Sequence, residues 1–165
     1  MVIHSFPILD YEEIARGEVA PERILDAFQT YGYFYLSGLD RVIPPRLFKS
    51  MKEVSERFFA SPLSAKMGYY IGDSAHHRGY VPVTEKGAYG DEKIRSYEAF
   101  DIGFDAPELP RQQRKGFELV GPNRYPQHVP GMEEALTAYY SANFEISRQI
   151  LRLIASGSGL AETHF

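Results

Sequence analysis

Five histidines (His4, His76, His77, His128 and His164) and no cysteine make up the nitrogen and sulfur metal ligands of this chain. A non-haem iron site built from two histidines and one carboxylate needs three ligands on one face of an octahedron, and sequences commonly supply two of them as His-x-Asp or His-x-Glu. Two residues after His4, His76, His77 and His128 stand Phe6, Arg78, Gly79 and Pro130, and the sequence ends before that position after His164. No such pair exists, so no metal ligand and no catalytic residue is assigned. His76 and His77 are adjacent, and neighbouring side chains of an extended segment point to opposite faces, which suits surface or pocket-lining histidine better than a shared metal. There is no Gly-x-Ser-x-Gly elbow and no Gly-x-x-x-x-Gly-Lys-Ser/Thr phosphate loop. Gly157-Ser158-Gly159 follows a helical pattern, where a helix C-cap is the ordinary reading.

What chemistry remains lies in His76-His77-Arg78-Gly79-Tyr80, with Glu85, Lys86 and Arg95 nearby in sequence. An arginine can clamp a carboxylate through two parallel hydrogen bonds, a glycine lets the backbone approach closely, and a tyrosine adds an amphipathic wall with a donor. Together these would suit a small polar acid as substrate. A solvated loop with ordinary surface charges accounts for the same residues.

The elements that would position this cluster are legible in part. Val2 to Leu9 mixes β-branched and apolar residues around Pro7 and suits a short edge strand. Pro21 opens a helix in which Ile24, Leu25 and Phe28 share a face, and Gly32 is placed to stop it. Tyr33 to Ser37 is a run of strand formers closed by Gly38. Pro44 and Pro45 start a second helix with Leu47, Met51, Val54 and Phe58 as its core stripe, ended by Ser61-Pro62. Residues 67 to 130 are rich in Gly, Pro and charge, with strand-like islands at 79–83 and 96–103. Their many aromatic residues suggest ordered loops over a sheet. Met132, Leu136, Tyr139, Asn143, Ile146, Ile150, Leu153 and Ile154 follow helical spacing, which predicts a helix over 131–156 ended by Gly157 and Gly159.

With 165 residues and 44 % hydrophobic content the chain can bury a core, and one soluble domain is expected. The formal charge of -4 gives no broad positive field for nucleic acid. No run approaches the roughly 20 apolar residues of a membrane span, and the N-terminus lacks the charge and apolar run of a signal peptide. With no cysteine to form disulfides, the expected location is cytoplasmic.

Several segments together resemble the N-terminal region of the iron(II)- and 2-oxoglutarate-dependent dioxygenases, the superfamily that includes isopenicillin N synthase. They are Ile3 to Asp10, then Ala27-Phe28 with Tyr31 to Leu36, Phe58-Phe59 with Ser61-Pro62 and Lys66, Arg78-Gly79-Tyr80, and Tyr97 to Gly103. Gly121-Pro122-Asn123-Arg124-Tyr125-Pro126 is similar to the family's Gly-Pro-Asn-x-Trp-Pro, with Tyr125 in the Trp position. The resemblance implies an α/β (α+β) cap spanning residues 1–165, whose long helix packs in the complete protein beside a double-stranded β-helix, or jelly roll. It implies Fe(II) and 2-oxoglutarate as cofactors of the complete enzyme, held by His-x-Asp, a distal His and Arg-x-Ser, all downstream of Phe165. The 165 residues alone are therefore expected to bind neither and to be inactive. The cap would form part of the pocket for a small-molecule substrate, an amino acid or a biosynthetic intermediate, that the enzyme hydroxylates or similarly oxidises. By position the resemblance carries substrate contact to His77, Arg78, Tyr80 and Asn123, with Glu85 in addition, and leaves Glu98 structural. The partner it implies is the C-terminal jelly-roll half, on the same or a separate chain. Exposed apolar surface would favour self-association without it. The alternative is a stand-alone, non-catalytic binding module.

Overall fold

A computed structural model describes residues 6–83, 97–107, 110 and 119–165. These fall into two compact units, one of Met1–Lys49 with Thr137–Phe165 and one of Ser50–Leu136.

In the first unit β1 (Ile8–Asp10) runs into α1 (Tyr11–Ala15), and α2 (Pro21–Tyr31) leads to β2 (Tyr35–Ser37). β1 and β2 pair in parallel with Leu9 opposite Leu36. Asp10 caps α1: its Oδ1 accepts the Glu12 and Glu13 N–H groups at 2.8 and 3.2 Å, and its Oδ2 accepts the Ser37 hydroxyl at 3.2 Å. The capping carboxylate thus also ties the helix to the neighbouring strand. Pro21 occupies the first turn of α2, as its missing N–H allows, and Gly32 ends the helix with φ 80°. The buried face of α2 is Ile24 and Ala27, whereas Phe28 is more exposed than its spacing suggested and lies edge-on to Phe34 at 5.3 Å. Leu9, Ile14, Val19 and Ile24 form the core here, flanked by Phe34, Leu36, Ile150, Leu153 and Ile154.

The second unit takes the C-terminal ten residues of α3 (Pro45–Phe59), then α4 (Leu63–Met67), a 3-10 turn at Ile71–Asp73, β3 (Gly79–Val81) and β4 (Ala99–Asp101). Val54 and Phe58 of the predicted α3 stripe are buried. Phe58 is the centre of the core, with Phe59, Tyr80 and Phe100 edge-on to its ring at 5.2, 5.9 and 4.8 Å. β3 and β4 are antiparallel, with Tyr80 opposite Phe100. The two strand islands of the sequence therefore do meet, and among the described residues they make a two-stranded sheet. Gly79 has φ 120° and a Cβ there would press into the Tyr69 carbonyl, so this position requires glycine.

The predicted long helix is α5 (Met132–Gly157), 26 residues and about 39 Å long. Gly157 is its last helical residue, set against the Pro21 carbonyl and the Leu25 side chain, and the left-handed residue beyond the end is Gly159. Glycine thus has two uses here, close approach at 157 and chain reversal at 159. No helix among the described residues is long and apolar enough to cross a membrane.

Candidate functional site

The segment that the sequence marks, residues 74–80, turns on Ser74. Its Oγ accepts the His76 and Arg78 N–H groups at 3.3 and 3.0 Å, and its carbonyl accepts the His77 N–H at 3.4 Å. This tight turn drives His77 to φ 53°, in the left-handed region that histidine tolerates better than most residues. Its side chain is exposed and makes no hydrogen bond among the described residues. His76 goes the other way and is buried, its ring flat against Gly121, where a Cβ would collide with it.

Arg78 points back into the protein. Its Nη1 donates to the His76 carbonyl at 2.8 Å and the His77 carbonyl at 3.3 Å, and its Nη2 donates to the Leu119 carbonyl at 2.7 Å. The guanidinium lies against Gly103, and its Nε is buried with no partner among the described residues. Asn123 holds the same Gly103 from the other side: Oδ1 accepts the Gly103 N–H and Nδ2 donates to the Gly103 carbonyl, both at 2.9 Å. The Asn123 N–H in turn donates to Asp105 Oδ1 at 2.8 Å. The side chains of Arg78 and Asn123 are thus occupied with backbone.

Tyr80 is buried in the core with 1 % of its surface exposed. Its hydroxyl donates to Glu98 Oε2 at 2.5 Å, and Lys66 Nζ donates to the same oxygen at 2.7 Å and to the Phe59 carbonyl at 3.1 Å. The Lys66 ammonium also sits 5.3 Å from the centre of the Tyr80 ring. Burial, with the hydrogen bond and charge of Glu98, pushes the Tyr80 phenol up to about 12. Burial works to raise the Glu98 carboxyl, but the hydrogen bonds from Lys66 and Tyr80 and the Lys66 charge outweigh it and hold it below the ordinary value. Glu98 is therefore an ionised anchor between α4, β3 and β4.

His77, Arg78, Tyr80 and Asn123 all fall in the second unit, with only the His77 side chain turned outward. Glu85, Lys86 and Arg95 lie outside the described residues. Sequence reasoning missed Ser74, Asp105 and the burial of Lys66. A buried lysine carries no local sequence signal, but Ser74 two residues before a His-His-Arg-Gly turn could have been read as a turn former. Among the described residues no three His, Asp or Glu side chains come together as a metal site. The described residues do not fit Fe(II).

Residues 6–128 match the family described as the N-terminal region of non-haem dioxygenases in morphine synthesis. The chain belongs to that family. It is similar to a 2-oxoglutarate-Fe(II) type oxidoreductase of Aspergillus fumigatus, 25 % identical over 96 % of this chain and 49 % of the relative. Clavatol oxidase of Penicillium crustosum is 30 % identical over 91 % of this chain and 47 % of its own length. A homoarginine-6-hydroxylase of Oryza sativa is 29 % identical over 81 % and 39 %. Among solved structures, a 2OG-Fe(II) oxygenase family protein of Caulobacter crescentus superposes with TM-score 0.73 at 20 % identity, over 96 % of this chain and 50 % of its own. The chain spans about half the length of the curated relatives it matches. Those relatives are Fe(II)/2-oxoglutarate oxygenases, some of them hydroxylases.

Proposed function

We propose that this chain is the N-terminal, substrate-pocket-forming part of an Fe(II)/2-oxoglutarate-dependent oxygenase that oxidises a small molecule, an amino acid or biosynthetic intermediate of the kind the homoarginine hydroxylases are named for. Family membership over residues 6–128 and coverage of about half of each relative support this reading. The observation that carries it is on the first unit. Parallel strands are normally covered on both faces, yet Ile8 and Tyr35 of the paired strands are 62 % and 57 % exposed. Phe6 and Tyr33 join them, and the rings of Phe6, Tyr33 and Tyr35 have centres 5.3 to 6.4 Å apart. A contiguous aromatic face of this sort marks an interaction surface, and its proposed occupant is the jelly-roll half, which would bring Fe(II) and 2-oxoglutarate. In the complete enzyme the His77–Tyr80 segment and Asn123 shape the substrate pocket, and Glu85 keeps its place in that set by sequence position.

Extending the reading frame beyond codon 165, expressing the product and supplying Fe(II), 2-oxoglutarate, dioxygen and a panel of amino acids as substrates should yield succinate and carbon dioxide. A folded, extended protein that never consumes 2-oxoglutarate would remove the oxygenase reading and leave the non-catalytic binding module. The exposed face predicts a second result, that the 165 residues alone self-associate. Light scattering showing a monodisperse monomer would mean that this face is not sticky.

A further inference from the structure

We propose that Arg78 and Asn123 are positioning residues, whose hydrogen bonds lock residues 74–79, 103–106 and 119–123 into one body that presents the His77 imidazole outward. The three segments are far apart in sequence and carry little regular structure, so something must replace the missing ladder of backbone hydrogen bonds. Arg78 supplies three bonds to carbonyls in two of the segments. Asn123 supplies a matched donor and acceptor to Gly103 in the third, and Ala106 closes the ring with its N–H on the Gly121 carbonyl at 3.3 Å. Two glycines mark the closeness of the fit: any Cβ at Gly103 would strike the Arg78 guanidinium, and any at Gly121 would strike the His76 ring. A guanidinium with both Nη atoms on backbone carbonyls is held in one orientation, and so is an amide whose oxygen and nitrogen both bind one glycine. His77 differs from both. Its backbone is pinned at a positive φ between Ser74 and Arg78 while its ring is exposed, the arrangement of a side chain held out for contact.

That the contact is with a substrate rests on the proposed oxygenase function. The positioning role rests on the hydrogen bonds alone.

The test uses the 165-residue chain and two readouts. Diethyl pyrocarbonate footprinting, resolved by fragment mass spectrometry, should label His77 rapidly and leave His76 unlabelled in the wild type. In Arg78→Lys and in Asn123→Ala, His76 should become labelled as the body opens. Hydrogen exchange in residues 74–79, 103–106 and 119–123 should accelerate together by about tenfold or more, because charged and paired hydrogen bonds are lost. Val54→Ala, which thins the core without touching these bonds, controls for general destabilisation and should change neither the His76 footprint nor the relative exchange of the three segments. If both variants keep His76 protected, or if Val54→Ala opens the same segments to the same extent, the positioning role is overturned. Loss of succinate formation in the extended protein with an intact footprint would instead overturn the oxygenase reading and leave the positioning role standing.

Discussion

Replacing Phe58 with alanine should lower the stability of the second unit by about 3–5 kcal/mol, the range for emptying a buried phenylalanine site. Domains of this size are commonly stable by only about 5–15 kcal/mol, so a substantial part of the total would go. Phe58 is fully buried and stands among residues from four stretches of chain: Val54 of its own helix, Tyr80 of β3, Phe100 of β4, and Val129, Met132 and Ala135 around the start of α5. Three aromatic rings meet it edge-on, an arrangement that adds about 0.5–1.5 kcal/mol per pair beyond buried area. The hole cannot close easily, because Tyr80 is pinned at its hydroxyl by Glu98 and at its N–H by the Tyr69 carbonyl at 2.7 Å. Urea denaturation of the variant beside Phe48→Ala provides the measure. Phe48 is half exposed, and its removal should cost less than about 1 kcal/mol. Equal losses for the two would show that Phe58 is not the centre of this core.

The same residues explain what could be read without coordinates. Pro21 with Gly32, Pro45 with its 4-3-4 apolar stripe, and the eight apolar or neutral positions of α5 are local signals, and each helix lies within about a residue of its expected bounds. α1 and α4 are five residues each, too short to show a period. Neither was expected from the sequence. Strand partners are set by distant residues: nothing near Ile8 says that it pairs with Tyr35 in parallel, or that Gly79 faces Asp101. The candidate site divides along the same line. Residues 76–80 stood out because their chemistry is contiguous in sequence, and Glu98 was read as a structural charge because it precedes a strand. That the Arg78 guanidinium spends its bonds on Leu119, and the Asn123 amide on Gly103, follows from chain segments 41 and 20 residues away, which no local pattern encodes.

The Lys66–Glu98–Tyr80 cluster should give the chain a stability loss at alkaline pH that disappears in Tyr80→Phe. In the unfolded chain the phenol ionises near pH 10. In the folded chain burial and the adjacent Glu98 charge hold the proton until about pH 12. Folding therefore favours the protonated phenol, so its contribution is complete below pH 10 and is lost as the pH rises from 10 towards 12. The lost contribution is on the order of 2–3 kcal/mol, the size that a displacement of this extent carries. The Glu98 carboxyl acts in the opposite direction. Held below its ordinary value, it stabilises the fold above the usual carboxylate range, and that contribution fades as acid protonates it. Urea midpoints of wild type and Tyr80→Phe between pH 8.5 and 11.5 isolate the phenol, because the other tyrosines, including the raised Tyr11, are common to both and cancel in the difference. At neutral pH the variant should be weaker by about 1 kcal/mol for the lost hydrogen bond, and the gap should close or reverse by pH 11.5. A gap that stays constant across the range would mean that the hydroxyl is not held against Glu98. A matching trace from Glu98→Gln would tie the effect to the carboxylate charge, since the amide keeps the shape of the side chain but not its charge.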